Sequence, residues 1–149
     1  MNKADQNDLD QSEAVRVAFG RLVRSLGVLR PDVTPCGERM SVSEAHSIAE
    51  LYDLGPLSQL TLGTNLRLQK STVSRLVDQL VERGWAERIA DDMDGRVSLV
   101  GLTVVGRRRA EGLATARRQR FADLLEPLTA EERSMTAAAL TRLADLGDA

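Results

Sequence analysis

The stretch QKSTVSRLVDQLVERGW, residues 69–85, decides how the rest of this chain is read. Val73, Leu76, Val77 and Leu80 recur at helical spacing, so a helix here must turn them inward. Ser71, Thr72, Ser74, Arg75, Asp78, Gln79 and Glu82 then face out. Gly84 suits a left-handed residue that ends the helix. Hydroxyls, an amide and cations on one side of a short amphipathic helix raise the question of what that wet side touches.

Upstream, Ser41 or Ser43 can cap a helix whose apolar face is Ala45, Ile48, Ala49, Leu51 and Tyr52. DLGP ends it, and Ser58 can cap a short helix through Leu60, Leu62 and Leu66. Gly63 inside that helix costs about 1 kcal/mol relative to Ala, which points to a close approach by a neighbour. A brief turn at 68–70 leads into the opening stretch. Downstream the period changes from helical to alternating: WAERIA and RVSLVGL read as two strands, joined by the turn DDMDG.

At the N-terminal side, residues 1–11 read as a flexible tail and a helix follows from Ser12 to Leu29. Val15, Phe19, Leu22, Leu26 and Leu29 alternate in steps of four and three, the seam of a helix that packs along another helix. Pro31 stops it, and PDVTPCGERM is a loop. From Thr103 a helix runs to about Leu125, with Val105, Leu113, Ala116, Phe121, Leu124 and Leu125 among its apolar positions. Pro127 breaks it. Thr129 and Glu132 form a capping box for a last helix through Met135, Leu140, Leu143 and Leu146.

Composition sets the bounds. The 149 residues are 42% hydrophobic but only 3% aromatic, so the core must be built from Leu, Val, Ala and Ile. The net charge of −2 shows that any basic surface is local rather than global. MNKADQNDLDQSE lacks the apolar region of a signal peptide, and no apolar run reaches the roughly 20 residues of a membrane helix. The expected location is cytoplasmic, away from any membrane. One Cys, Cys36, excludes an internal disulfide, and with a single His it makes a structural zinc site untenable. No cofactor motif, glycine-rich phosphate loop or catalytic set is apparent, so no enzyme is expected.

Two short helices, a tight turn, a third helix with a polar face and then a hairpin describe a winged helix-turn-helix. The expected fold is mainly α with a small β-hairpin wing, plus N- and C-terminal dimerisation helices. In such folds the second helix of the pair lies in the major groove of DNA. Hydroxyls bond phosphates and bases, an amide reads adenine, and Arg reads guanine. Lys70 adds positive charge at the start of the helix. The seam at 12–29 and the apolar faces beyond the wing lack partners in a small three-helix core. A second copy would bury them, and two recognition helices would then address half-sites about one DNA turn apart on a pseudo-palindromic operator.

The run from Leu68 to Trp85 resembles the recognition helix of the MarR family of bacterial transcriptional regulators. The resemblance extends to Glu87–Arg88, to the acidic turn ending at Arg96, and to Leu102–Thr103, so it spans about residues 12–146. It implies a single domain over 12–149, with the winged helix-turn-helix at about 41–103 and dimerisation helices at about 12–30 and 103–146. It implies a homodimer and a major-groove role for Ser71, Thr72, Ser74, Arg75 and Gln79. It also implies that Arg96 enters the minor groove with Asp94 holding its side chain. A ligand-responsive repressor is expected, released by a small lipophilic or aromatic effector, for which Phe19 and His46 are the candidate contacts. Thr61 and Gly63, and the Val-Val-Gly after Thr103, depart from the family pattern and touch only details of helix capping.

Blander readings stand beside these. The wet face of residues 70–82 could be a solvated surface, and Asp94–Arg96 a turn salt bridge worth under about 1 kcal/mol. Phe19 and Trp85 could be core residues and His46 a surface residue. Cys36 offers a redox-sensing alternative, which requires an accessible thiol of lowered pKa. A winged-helix protein–protein adaptor is the alternative from another class. Asp78, Glu82, Asp91 and Asp92 would repel phosphates if they lay on the DNA side, against Arg67, Lys70, Arg75, Arg83, Arg88 and Arg96.

Overall fold

A computed structural model describes residues 3–90 and 98–147. The order is α1 (Lys3–Ser25), α2 (Val42–Leu54), β1 (Leu57–Ser58), α3 (Gln59–Leu66), α4 (Lys70–Glu82), β2 (Ala86–Ala90), β3 (Ser98–Leu102), α5 (Val104–Leu125) and α6 (Ala130–Gly147). The chain forms two compact units, residues 1–116 and 117–149. Every residue of the buried apolar cluster lies in the first unit, and α6 in the second buries none of its side chains. Among the described residues no helix is long and apolar enough to cross a membrane.

Local chemistry explains most element boundaries. Ser41 caps α2, and Glu44 completes the box by accepting the Ser41 N–H at 2.7 Å while its own N–H donates to Ser41 Oγ at 3.1 Å. Ser41→Ala should therefore cost about 1 kcal/mol, read as a lower midpoint in urea unfolding; an unchanged midpoint would refute the role of the cap. Ser58 caps α3. Thr129 and Glu132 make the expected box on α6. Hydrogen bonds from the Thr129 backbone and then its hydroxyl hold the Glu132 carboxyl below the ordinary carboxylate range. That contribution is present above the ordinary range and lost as pH falls through the lowered value.

At the end of α4, Gly84 has φ +68°, its N–H donates to the Val81 carbonyl and the Trp85 N–H donates to the Leu80 carbonyl. That is a Schellman closure.

Two helix ends differ from expectation. Helix α1 starts at Lys3, not Ser12, so the expected tail at residues 3–11 is helical; Gln6 donates to Asp10 one turn on, at 3.1 Å. It ends at Ser25 rather than Leu29, because Gly27 takes φ +70°.

The aliphatic stripe of α4 is the centre of the core. Val73, Leu76, Val77 and Leu80 are buried, together with Met40, Ile48, Leu51, Leu62, Val100 and Leu113. Gly63 shows the close approach expected of it: an added methyl would lie 3.0 Å from Val73 Cγ2 and 3.2 Å from the Leu68 carbonyl oxygen. Leu60 was expected to point inward but is 79% exposed. It precedes buried Leu62 by two residues, about 200° around the helix, so the two cannot share a face. Tyr52 is likewise exposed rather than inward.

Among the described residues three strands form the sheet where two were expected. The order is β1-β3-β2, all antiparallel, with Leu57 opposite Val100 and Ala86 opposite Leu102. β1 is only two residues long, too short for an alternating pattern to register. It ties the start of α3 to the sheet and so holds the helix pair against the wing strands.

Candidate nucleic-acid interface

Burying the stripe of α4 turns its other side outward. Lys70, Ser71, Thr72, Arg75 and Gln79 are exposed and Ser74 is half-buried. One helix thus gathers all six of the described residues expected at a DNA surface. Asp94, Arg96 and the DDMDG turn lie outside the described residues. The Arg75 Nε donates to the Ser71 carbonyl at 3.4 Å, a long and weak bond that leaves the guanidinium reach outward. Gln69, at the N-cap of α4, makes no side-chain capping bond.

The charges sort themselves by pairing. Asp78 does lie on the outer side, but Arg88 donates to it at 2.5 Å, so its repulsion of phosphate is countered. Arg83 is turned the other way, with its Nε 2.9 Å from Glu44. Two of the arginines expected to supply positive potential are therefore engaged within the fold, and Lys70 and Arg75 carry more of it than the sequence implied.

A cleft of about 420 Å3 opens between α3 and α4, lined by Gln59, Thr64, Arg67 and Lys70 among others. It runs beside Ser71 and Ser74, which with Gln69 and Lys70 line a neighbouring shallow groove. Gln59 and Thr64 were not anticipated at this surface. Their signal was Gly63, whose missing side chain lets the two helices approach and shapes the cleft.

The remaining candidates are scattered. Phe19 is 59% exposed on α1, which corrects its reading as a core residue, because the described chain packs nothing over it. His46 is exposed on α2, and neither it nor Phe19 lines the clefts beside α4. Cys36 is half-buried against the core with its Sγ 3.1 Å from the Thr34 hydroxyl. Among the described residues, no three His, Cys, Asp or Glu side chains are placed to hold a metal ion.

A helix pair followed by a hairpin-based sheet, with a hydroxyl-rich, basic face on the second helix of the pair, defines a winged helix-turn-helix protein. Comparison with known proteins specifies it further. The MarR family model matches residues 40–98. YdgJ of Bacillus subtilis, an uncharacterized HTH-type transcriptional regulator, is 29% identical over 104 residues, covering 70% of this chain and 63% of its own length. YsmB of the same organism, of the same description, is 30% identical over 93 residues, 62% of this chain and 64% of its own. The chain spans a little under two thirds of these curated relatives.

A probable transcriptional regulator from Pseudomonas aeruginosa has the same fold, with a TM-score of 0.67 at 29% identity, over 84% of this chain and 96% of that one. So does PcaV of Streptomyces coelicolor, solved in complex with its natural ligand, with a TM-score of 0.67 at 26% identity over 87% and 89%. Over residues 40–98 the chain is thus similar to the MarR family, and its fold is that of the solved regulators above. The two Bacillus relatives are HTH-type transcriptional regulators by name.

Proposed function

We propose that this chain is a sequence-specific, DNA-binding transcriptional regulator that acts as a homodimer on a pseudo-palindromic operator, most simply as a repressor. The carrying observation is the outward face of α4, where Lys70, Ser71, Thr72, Arg75 and Gln79 are exposed opposite a fully buried aliphatic stripe. Such a face is built to enter a major groove. By resemblance, Arg96 reaches the minor groove from the wing with Asp94 behind it. The hydroxyl-rich, basic character of this face weighs against a protein–protein adaptor. Half-burial of Cys36 and its bond to Thr34 weigh against a thiol sensor.

Dimerisation answers the apolar side chains that the single chain leaves in water: Val15, Phe19 and Leu22 on α1, and Met135, Leu140, Leu143 and Leu146 on α6. A small lipophilic or aromatic effector, with Phe19 and His46 as candidate contacts, would release the DNA. PcaV was solved with a natural ligand, which supports a ligand response here. The effector must bind the released geometry more tightly than the DNA-bound one, since equal affinity shifts nothing.

The test is DNA protection across the promoter regions around the coding gene, followed by gel-shift affinity at increasing salt. Wild-type affinity should fall steeply with salt. Arg75→Ala should weaken operator binding by about 1–3 kcal/mol, roughly five- to 150-fold. Equal affinity for the variant, or binding indifferent to salt, would defeat the assignment.

A further inference from the structure

A cluster of charged residues around a single indole lies outside the DNA face and has no part in the function so far. Trp85 is the only Trp of the chain and stands between the end of α4 and the start of β2. The Arg83 guanidinium lies over its ring at 4.8 Å from the centroid, and that of Arg109, from α5, at 5.3 Å. Each cation has its own carboxylate. Arg83 Nε is 2.9 Å from Glu44, which is buried at the N-terminus of α2. Arg109 Nη1 is 3.3 Å from Glu38 in the loop before α2. That loop is itself closed, with the Glu38 N–H on the Thr34 hydroxyl at 3.0 Å and the Thr34 N–H on the Glu38 carbonyl at 2.9 Å.

Stability is a poor reason for such a cluster. Half-buried ion pairs commonly do no better than apolar packing of the same volume. Here Arg109 Nε is also left as a buried donor with no partner, the one such side-chain atom among the described residues. What the cluster supplies is direction. A planar guanidinium stacked on an indole and held by a carboxylate is oriented in a way that a flexible ammonium is not. Arg83 is the C-cap of α4, and the Trp85 carbonyl accepts the Thr103 N–H at 3.1 Å just before α5. The arrangement therefore spans the loop before α2, the end of the recognition helix, the base of the wing and the first turns of α5.

We infer that Glu38, Glu44, Arg83, Trp85 and Arg109 form a clasp of positioning residues for DNA binding, which holds the angle between α4 and the wing and links it to the 34–44 segment and to α5. This inference rests on the DNA-binding reading above. The clasp touches no DNA; it acts through α4 and the wing strands.

The test uses the full chain with three readouts: thermal midpoint, Trp85 emission and gel-shift affinity for the protected operator. Arg109→Met keeps the volume and removes the stacked, paired cation. It should leave the midpoint within a few degrees, shift the Trp85 emission, and weaken operator binding about tenfold, the size of an ordinary coupling between sites. Arg109→Lys, which keeps the charge, should not restore affinity. Glu38→Gln, a milder change on a half-buried side chain, should shift emission and affinity in the same direction, and it stands in should Arg109→Met not fold.

Full affinity in Arg109→Lys would mean that charge alone matters and would overturn the clasp. So would an Arg109→Met protein that binds like wild type, or affinity losses that merely track losses in thermal midpoint. A wild-type chain that binds no duplex would instead overturn the DNA-binding reading, and the role of the clasp with it.

Discussion

Gly106→Ala is expected to destabilise the first unit severely, by about 3 kcal/mol, the upper end of ordinary overpacking costs. The added Cβ would lie 1.9 Å from the Trp85 carbonyl oxygen, 2.8 Å from its carbon and 3.2 Å from Leu102 Cδ2. Two of these three atoms are backbone and cannot rotate away. The carbonyl is fixed besides by the Thr103 N–H, and the Gly106 N–H is itself bonded to the Thr103 hydroxyl at 3.0 Å. Relief requires α5 to lift from the base of the wing, which would also uncover Leu113 and Ala110 from the core. For a chain of this size each kcal/mol lowers the thermal midpoint by about 2–4 °C, so the drop should approach 10 °C. A variant that melts with the wild type would show that this junction is looser than the geometry implies.

The second large effect is expected from Leu140→Asp combined with Leu143→Asp. Both side chains lie one turn apart on α6 and are about half exposed in the single chain, at 48% and 56%. Placing carboxylates there removes little packing within the chain, so helical content should persist. It places two charges in the apolar face that the proposed dimer must bury. The wild type should sediment at twice the 16.3 kDa of the chain and the variant as a single chain. Operator affinity should then fall by about a hundredfold or more, because two half-sites are no longer engaged by linked recognition helices. A wild type that sediments as one chain, or a variant that remains paired, would remove the dimer from the proposal.

Much of the helix-turn-helix was legible without coordinates. The 73–76–77–80 stripe, the Thr129–Glu132 box, the Ser58 cap and the Gly84 closure all emerged where local pattern placed them, and of the two serines that could cap α2 the structure uses Ser41. The outward set on α4 followed directly, since residues that must bury one side of a helix leave the other in water. Gly63 carried non-local information as well, because a glycine inside a helix marks the place where a neighbour approaches.

Those features belong to sequence alone because each depends on atoms within about one helical turn of one another, where hydrogen-bond reach and residue spacing leave few alternatives. The tertiary structure decided the rest: the two-residue β1, the neutralising of Asp78 by Arg88, and the turning of Arg83 from the DNA side onto Trp85 and buried Glu44. Apart from Arg83 on Trp85, these contacts join residues ten or more apart along the chain. A long cation can reach several carboxylates and rings at similar cost, and only the packed core determines which of them stands within a few ångströms.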